Sequence, residues 1–337
     1  MENNLAKTQE LLQRRAEIQT RLNLLPYDGS PEVKERGGKR YLYIRKRVAS
    51  RLTSTYVDIY SESLHQLLLR NTKESRELKK ELRQLNKQLA QLGYADESIA
   101  PEILLNIDFA RANLKTSIYD QAILEGVATT FPQTEDIIEN GKVSGMRATD
   151  IQKILNLKHA WEFILDKDVI ASPGDYYLLC HIAKLVNEGF FADGGRIRGV
   201  PVTIGGTSYI PPLPIESNVK EEIQKIVLET EAAESAASHI LLTAIRLCLY
   251  CMRAQVFNDG NKRAAVLFAN HFLIAHGMGL IVIPAADVPE FKKLLVNFYE
   301  TNDAADITVF LQDKCWKKIR QGMIQGKHFV FSTQTFR

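Results

Sequence analysis

Nine residues beginning at Gln255 place one acid, one glycine, three amides and two cations in a single stretch, Gln-Val-Phe-Asn-Asp-Gly-Asn-Lys-Arg. Apolar runs predict a helix on each side of it, at 240–252 and 264–275. Gly260 and Asn261 tolerate positive φ, so successive backbone N–H groups can turn toward one anion. The second helix begins near Lys262, and its unpaired N–H groups and dipole favour negative charge there. The stretch therefore predicts a phosphate site.

The charged residues of this stretch refine the prediction. Lys262 and Arg263 add two cations beside the expected phosphates, and Asp259 offers the hard oxygen that suits Mg²⁺ carried by phosphates. Phe257 is spaced to anchor the loop in the core while its polar neighbours face outward. The chemistry is that of a site for a metal-bound nucleotide. An ordinary turn between two buried helices is the structural alternative.

The stretch resembles the signature of the Fic/Doc family, His-x-Phe-x-Asp/Glu-Gly-Asn-Gly/Lys-Arg. Matching positions are Phe257, Asp259, Gly260, Asn261 and Arg263. The resemblance implies an all-helical core that binds ATP and Mg²⁺ and transfers AMP to a hydroxyl group of a target protein. It implies that Asp259 holds the metal. The nucleotide-binding residues that it implies are Phe257, Gly260, Asn261, Lys262 and Arg263.

Three positions depart from the family pattern. The catalytic histidine aligns with Gln255, the second glycine with Lys262, and a second arginine with Val266. A glutamine amide cannot accept a hydroxyl proton usefully, and loss of a general base costs about 10²–10⁴-fold in rate. The catalytic positions implied are Gln255, Asp259, Asn261 and Arg263. We therefore expect weak or altered transfer.

The departures leave three functional hypotheses open. The leading one is a restrained protein adenylyltransferase. A lysine at position 262 accompanies phosphate transfer in Doc-like members of the family, so a protein phosphotransferase is the second. The third is a nucleotide sensor or scaffold without catalysis, which the glutamine at position 255 favours.

Residues 117–130 resemble the family's inhibitory segment, Ser/Thr-x-x-x-Glu-Gly. Glu125 and Gly126 match, while Gln121 stands at the serine position. In the family the glutamate pairs with the second arginine, which is absent here. We expect a helix that ends at Gly126 and a carboxylate that engages Arg263 or the phosphate site instead. An ordinary exposed glutamate before a glycine cap is the alternative.

Residues 193–212 predict a β-hairpin, since two β-branched runs flank a Gly-Gly pair and two prolines follow. The segment resembles the family's flap, which aligns an extended target chain by strand addition. The flap residues expected to bind the target are Val202, Thr203, Ile204, Gly205, Gly206 and Tyr209.

The amino-terminal part predicts a helical arm. Leucines at helical spacing indicate a helix at 5–24 and a long one at 62–92 packed antiparallel against it. Alternation at 40–59 predicts a small hairpin or meander. We expect a homodimer or a partner protein to bind this arm. The domains predicted are an arm at 1–100, a Fic-type domain at 101–325 and a tail at 326–337, in a mainly α protein.

Composition narrows the function classes. The 337 residues carry a formal net charge of +3, so we expect neither nucleic acid nor a membrane surface as partner. No apolar run reaches membrane-spanning length, and a cytoplasmic location is expected. Cys248 and Cys251 lie inside an apolar helix and predict core cysteines rather than a zinc site. Further helices are predicted at 291–299 and 306–324.

Overall fold

The computed structural model describes residues 2–25, 29–48, 51–94, 99–140, 145–231 and 237–319. The chain divides into two units, Met1–Glu97 and Ser98–Arg337, each with its own internal contacts. Helices dominate both, which confirms the mainly α prediction. The tail predicted at 326–337 lies outside the described residues.

The amino-terminal unit is a helix, a three-stranded sheet and a second, longer helix. Its elements are α1 Glu2–Leu24, β1 Ser30–Arg36, β2 Lys39–Val48, β3 Arg51–Ile59 and α2 Glu62–Gln91. The sheet is an antiparallel meander with β2 in the centre. The sequence predicted β2 and β3 but not β1, because β1 reads Ser-Pro-Glu-Val-Lys-Glu-Arg and holds a single β-branched residue.

One face of the sheet forms a small core with α2. Leu42 and Ile44 alternate along β2 and pack against Leu68, with Val57 and Leu64 beside them. Tyr41 and Tyr43 have the opposite parity in β2, so they lie on the outer face of the sheet.

The long helices α1 and α2 pack against each other, and ion pairs fix their direction. Arg14 Nε lies 2.7 Å from a carboxylate oxygen of Glu81, and Arg21 Nε lies 2.5 Å from one of Glu74. As residue numbers rise along α1 they fall along α2, so the antiparallel arrangement is confirmed. Exposed pairs of this kind contribute up to about 1 kcal/mol each, so apolar packing supplies most of the stability.

The carboxy-terminal unit is a cluster of helices with two short strands. Its helices are α3 Pro101–Ala112, α4 Leu114–Leu124, α5 Phe131–Asn140, α6 Ala148–Ile164, α7 Lys167–Ile170, α8 Tyr176–Val186, α9 Glu216–Glu231, α10 Ala237–Ala254, α11 Asn261–Ala275, α12 Val288–Thr301 and α13 Ala305–Phe310. A 3-10 turn at Ala285–Asp287 precedes α12, and a π-helical turn at Leu311–Cys315 follows α13. The strands β4 Leu280–Ile281 and β5 Trp316–Lys317 pair antiparallel.

Helix α11 is the centre of this unit. Every residue from Arg263 to Ile274 is buried, which fits its unbroken apolar sequence. It packs against α10, α8, α6 and α3. The residues that precede α11 are therefore held by a helix that has no exposed face.

The helix predicted at 306–324 is wrong at residues 316–319, and its last five residues lie outside the described part of the chain. The chain leaves the helical path after Cys315 because Val282 donates its backbone N–H to the Cys315 carbonyl at 2.9 Å, and β5 then pairs with β4. Trp316 reinforces the turn by donating its indole N–H to the Met278 carbonyl at 2.8 Å. Tertiary hydrogen bonds thus override the helical pattern in this segment.

The cysteine and membrane predictions can also be compared with the structure. Cys248 and Cys251 are buried in α10, and burial raises the pKa of the Cys248 thiol to about 12. Among the described residues, no group of three or more His, Cys, Asp or Glu side chains could hold a metal by itself. None of the helices in the described ranges is long and apolar enough to cross a membrane.

The core of the amino-terminal unit provides a matched test. Leu68 is 1% exposed and its neighbour Leu69 is 41% exposed, on the same helix. We expect Leu68→Ala to lower the free energy of unfolding of this unit by about 2–5 kcal/mol, because it removes buried apolar contacts. Hydrogen exchange of β2 amides measures the change. Leu69→Ala should leave that exchange nearly unchanged, and equal effects from both variants would contradict the packing described.

Candidate functional site

The loop between α10 and α11 has the tight geometry that its sequence predicts. Gln255 follows α10 with φ +46°, and Gly260 precedes α11 with φ +76°. Phe257 is 1% exposed, so the predicted anchor in the core is in place. A positive φ is uncommon for a residue such as glutamine, so the surrounding contacts must hold Gln255 in this conformation.

Asn261 holds the loop closed with its side chain. Its amide oxygen accepts the Phe257 backbone N–H at 2.9 Å, and its amide nitrogen donates to the Phe257 carbonyl at 2.7 Å. The same nitrogen donates to the Gln255 side-chain oxygen at 3.1 Å. The side chain of Asn261 is therefore engaged within the loop, and its backbone N–H lies at the uncapped start of α11.

Gly260 is required by close packing as well as by its backbone angle. A Cβ at this position would lie 2.8 Å from the side-chain oxygen of Asn187 and 3.1 Å from Val186. Asn187 in turn donates to the carbonyls of Asp259, at 2.9 Å, and Gly194, at 3.2 Å. Asn187 was missed by the sequence reasoning. Its position directly after the apolar helix α8 is the signal that could have pointed to it.

Arg263 is 1% exposed, and its guanidinium contacts three separate segments of the chain. It donates to the Val186 carbonyl at 2.6 Å, to the Asn187 side chain at 3.4 Å and to Asp259 Oδ2 at 3.0 Å. Its Nε lies 3.3 Å from Glu125 Oε2. A buried charge requires such compensation, since an unpaired one costs several kcal/mol.

Glu125 reaches the loop from the end of α4. It caps that helix, and Gly126 follows with φ +75°, as predicted for the end of a helix. The carboxylate is 11% exposed and also lies 3.8 Å from Lys262 Nζ. It therefore sits beside both cations and close to the positive end of the α11 dipole. The structure brings together the two segments that the sequence singled out separately.

Near Glu125, the two positions that depart from the family pattern, Gln121 and Val266, carry neutral side chains. Gln121 donates to the Arg263 carbonyl at 3.0 Å and accepts the indole N–H of Trp161 at 3.1 Å. Val266 is buried beside them, where together with Ser117 they line a small cavity. Since Val266 carries no charge, Arg263 is the arginine left to pair with Glu125.

Asp259 and Lys262 are the charged groups of the loop that remain accessible. The Asp259 side chain is 49% exposed although one of its oxygens accepts from Arg263, and the Lys262 side chain is 32% exposed. The first N–H groups of α11 have no acceptor within the helix, and no described side chain caps them. One cation, one carboxylate and the uncapped N–H groups of α11 are thus accessible at the same end of the helix.

The predicted flap hairpin is only half correct. A turn lies at Gly205–Gly206, with φ +84° at Gly206, but no backbone hydrogen bonds pair Val202–Ile204 with the residues after the turn in this described segment. The polar groups after the turn bond elsewhere: Thr207 Oγ1 and the Ser208 N–H donate to Glu300 at 2.9 and 3.1 Å. Hydrogen bonds to Glu300 on α12 therefore take the place of a strand ladder in this segment.

Arg198 ties the flap segment to the loop. It is 2% exposed and donates from Nε to the Gln255 carbonyl at 2.5 Å. Its other nitrogens donate to the carbonyls of Val200, at 2.9 Å, and Pro212, at 2.5 Å. A single buried guanidinium thus fixes both sides of the flap against the residue at the family's histidine position.

An aromatic contact joins the flap to the same region. The Tyr209 ring stacks on Tyr299 with centroids 6.1 Å apart, and the Arg253 guanidinium lies 4.3 Å from the Tyr209 centroid. Burial raises the pKa of Tyr299. Hydrogen bonds from Ser208 and Thr207 lower the pKa of Glu300, so this carboxylate stays ionised and keeps the turn in place.

The histidines on α11 do not substitute for a base. His271 is buried and its Nε2 lies 2.7 Å from the Val169 carbonyl, so it has a structural partner. Burial lowers the pKa of His271 to about 4, which keeps the ring neutral near pH 7. His271 is therefore a buried structural residue.

Comparison with known families agrees with this geometry. A model described as the Fic/DOC family matches residues 173–273, a range that holds α8, the flap, the loop and most of α11. This part of the chain is therefore similar to the Fic/DOC family. A second model, of a domain of unknown function (DUF6788), matches residues 5–66. The curated proteins contain no significant match.

Solved Fic structures are similar to this chain at low sequence identity. A Fic domain containing signaling protein from Bacteroides thetaiotaomicron is 18% identical, with a TM-score of 0.50 over 64% of this chain and 85% of that chain. Fic-1 from C. elegans is 20% identical, with a TM-score of 0.48 over 75% and 73% of the two chains. A Fic family protein from Desulfovibrio desulfuricans is 18% identical, with a TM-score of 0.45 over 65% and 73%. The first of these supports the Fic fold.

Gly260 allows the loop geometry to be tested. We expect Gly260→Ala to lower the free energy of unfolding by about 1–3 kcal/mol, because φ is positive and the new Cβ would collide with Asn187. Denaturant titration followed by tryptophan fluorescence reports on the carboxy-terminal unit, which contains both tryptophans, Trp161 and Trp316. Gly205→Ala is the control, because its Cβ would meet no atom within 4 Å. An unchanged stability for Gly260→Ala would contradict the packing.

Proposed function

We propose that this protein transfers AMP from ATP to a hydroxyl group of a target protein and that Glu125 restrains the reaction. The observation that carries the proposal is the position of the Glu125 carboxylate between Lys262 and Arg263, at the amino-terminal end of α11. These are the groups that the Fic resemblance assigns to the nucleotide phosphates. A carboxylate that occupies them competes directly with a phosphate for the same charges.

The residues present fit ATP and Mg²⁺. Lys262 and the uncapped N–H groups of α11 provide the donors that phosphate oxygens require. Asp259 would hold Mg²⁺ through its exposed oxygen, and a single carboxylate suffices because Mg²⁺ in such sites retains waters and phosphate ligands. The ion would neutralise phosphate charge. Phe257 and Asn261 hold the loop in the shape that presents these groups.

Arg263 is buried beneath the candidate phosphate site and is not exposed on its surface. Its guanidinium is buried against Val186 and Asp259. Its Nε lies 3.3 Å from Glu125 Oε2 but has no hydrogen-bond acceptor among the described residues, and we propose that a phosphate oxygen becomes that acceptor when Glu125 is displaced. The exchange of one anion for another keeps the buried charge compensated throughout.

We expect transfer to be slow because Gln255 stands where a general base is needed. Its amide nitrogen donates to the Met252 carbonyl at 2.6 Å and its oxygen accepts from Asn261. The side chain is therefore part of the loop and has no titratable group with which to accept a hydroxyl proton. Without a general base, catalysis depends on how the site positions the nucleotide and the target hydroxyl and on how it stabilises the phosphate charge.

We propose that the target binds along the flap residues Val202, Thr203, Ile204, Gly205, Gly206 and Tyr209. Their backbone groups are not paired in a strand ladder, so an extended chain can add to them. Glu300, Arg253 and Tyr299 hold the far arm of the flap, which limits the movement needed to accept a chain.

Removal of the Glu125 charge tests the restraint. We expect Glu125→Gln to bind Mg-ATP about 10- to 100-fold more tightly, because no charged contact of about 1.5–3 kcal/mol must be broken first. Isothermal titration calorimetry measures the affinity, and intact-mass spectrometry after incubation measures added AMP. Glu221→Gln, an exposed glutamate on α9, is the control. Equal affinities for the wild type and Glu125→Gln would refute the restraint.

Restoration of a base tests the reaction. In the Glu125→Gln background, we expect Gln255→His to raise AMP transfer by about 10²–10⁴-fold, since histidine supplies the missing general base. Histidine is also among the residues that tolerate positive φ, so the loop can keep its shape. Gln255→Asn is the control because it keeps an amide and adds no base.

The pH profile separates the outcomes of this second experiment. The rate of the histidine variant should rise with pH through about 6.5, where the ring loses its proton and becomes able to act as a base. A mass gain of one phosphate instead of AMP would favour the phosphotransferase that Lys262 suggests. Tight nucleotide binding without any transfer, even with histidine present, would favour a sensor or scaffold and overturn the proposed transferase.

A further inference from the structure

The outer face of the amino-terminal sheet carries three tyrosines, and the ring of Tyr56 contacts the other two. Tyr43 and Tyr56 are directly opposite in the ladder between β2 and β3, with ring centroids 5.6 Å apart, and Tyr41 lies 6.3 Å from Tyr56. Tyr56 is 51% exposed and Ile59, at the end of β3, is 58% exposed. We call the surface formed by Tyr41, Tyr43 and Tyr56 the tyrosine face.

Basic residues surround the tyrosine face. Lys34 Nζ lies 4.4 Å from the Tyr43 centroid, in a cation–π contact. Arg36 and Lys39 are exposed at the adjoining hairpin turn, and Arg45 is exposed two residues beyond Tyr43 on the same face of β2. The surface therefore combines flat aromatic rings with cations on several sides.

The charge of the chain is unevenly divided. Residues 30–59 contain eight lysines and arginines against three acidic residues, an excess of five positive charges. Residues 1–97 contain 19 basic and 13 acidic residues, a net +6, whereas the other 240 residues contain 24 and 27, a net −3. Helix α2 adds to the excess, with seven basic residues and four glutamates. The small total charge of +3 hides this separation.

The acidic residue Glu32 on this face offsets the charge of Lys34, so Arg36, Lys39 and Arg45 supply the excess positive charge. Glu32 lies 3.4 Å from Lys34 and accepts a hydrogen bond from Ser54 at 2.8 Å. A structural explanation covers part of the arrangement, because cross-strand tyrosine pairs stabilise a small sheet. It does not explain why cations surround the rings on the side of the sheet that faces away from α2.

We propose that the tyrosine face binds single-stranded nucleic acid. Lysine and arginine side chains bind the phosphate backbone, and exposed rings stack on unpaired bases, which is the combination that strand-binding proteins use without sequence preference. A duplex keeps its base faces stacked internally and offers the rings no partner. The positive charge excludes a polycationic partner, and an uncharged apolar partner would leave the surrounding cations without a role.

Fluorescence anisotropy with a labelled oligothymidine of about 16 nucleotides tests this site on the full chain. We expect binding that weakens as salt rises, and a roughly 5- to 150-fold loss of affinity in Tyr56→Ala, because a stacking contact is removed. Tyr56→Phe keeps the ring and should bind like the wild type. Arg45→Glu should weaken binding, and the difference in affinity between this variant and the wild type should become smaller as salt rises.

Matched variants keep the test specific. Tyr177→Ala removes a similarly exposed tyrosine from the carboxy-terminal unit, and Lys292→Glu reverses an exposed charge on α12, so neither should change the affinity. Hydrogen exchange of β2 confirms that each sheet variant is folded. The proposal is overturned if the oligonucleotide does not bind at low salt, if a duplex of equal length binds more tightly, or if Tyr56→Ala binds like the wild type.

Discussion

The buried guanidinium of Arg263 is the constraint on which the carboxy-terminal unit depends. A charge that is 1% exposed must be compensated in place, and its partners come from the end of α8, the loop before α11 and the end of α4. These segments are far apart in sequence, so one side chain determines how they meet. The Arg263 side chain therefore both organises the fold and lies buried beneath the candidate nucleotide site.

Because Glu125 pairs with Arg263, the same contact stabilises the fold and restrains the proposed reaction. Glu125 supplies part of the compensation that Arg263 needs, and its removal would expose a cation to any anion that fits. Lys262 is different, because it is partly exposed and lies 3.8 Å from the same carboxylate. The two cations thus differ in burial, and we propose that a phosphate would meet Lys262 first and Arg263 second.

Local sequence predicted the elements whose pattern was unambiguous. The unbroken apolar run after Asn261 indicated a buried helix, and the absence of a second arginine at Val266 indicated Arg263 as a partner for Glu125, as the structure has it. The flap strands could not be judged from the sequence, because Glu300 competes for their polar groups from a distant helix. Asn187 was missed for the same reason, since its partners are distant backbone carbonyls.

Arg198 has a consequence for the flap and the loop together. Its guanidinium donates at the same time to Gln255 and to the carbonyls of Val200 and Pro212, so a shift of the flap must alter the hydrogen bond that supports the strained backbone of Gln255. Two ligands that bind on either side of such a link have coupled affinities, and the coupling is reciprocal. A chain seated on the flap would change nucleotide affinity by the same factor by which the nucleotide changes affinity for that chain.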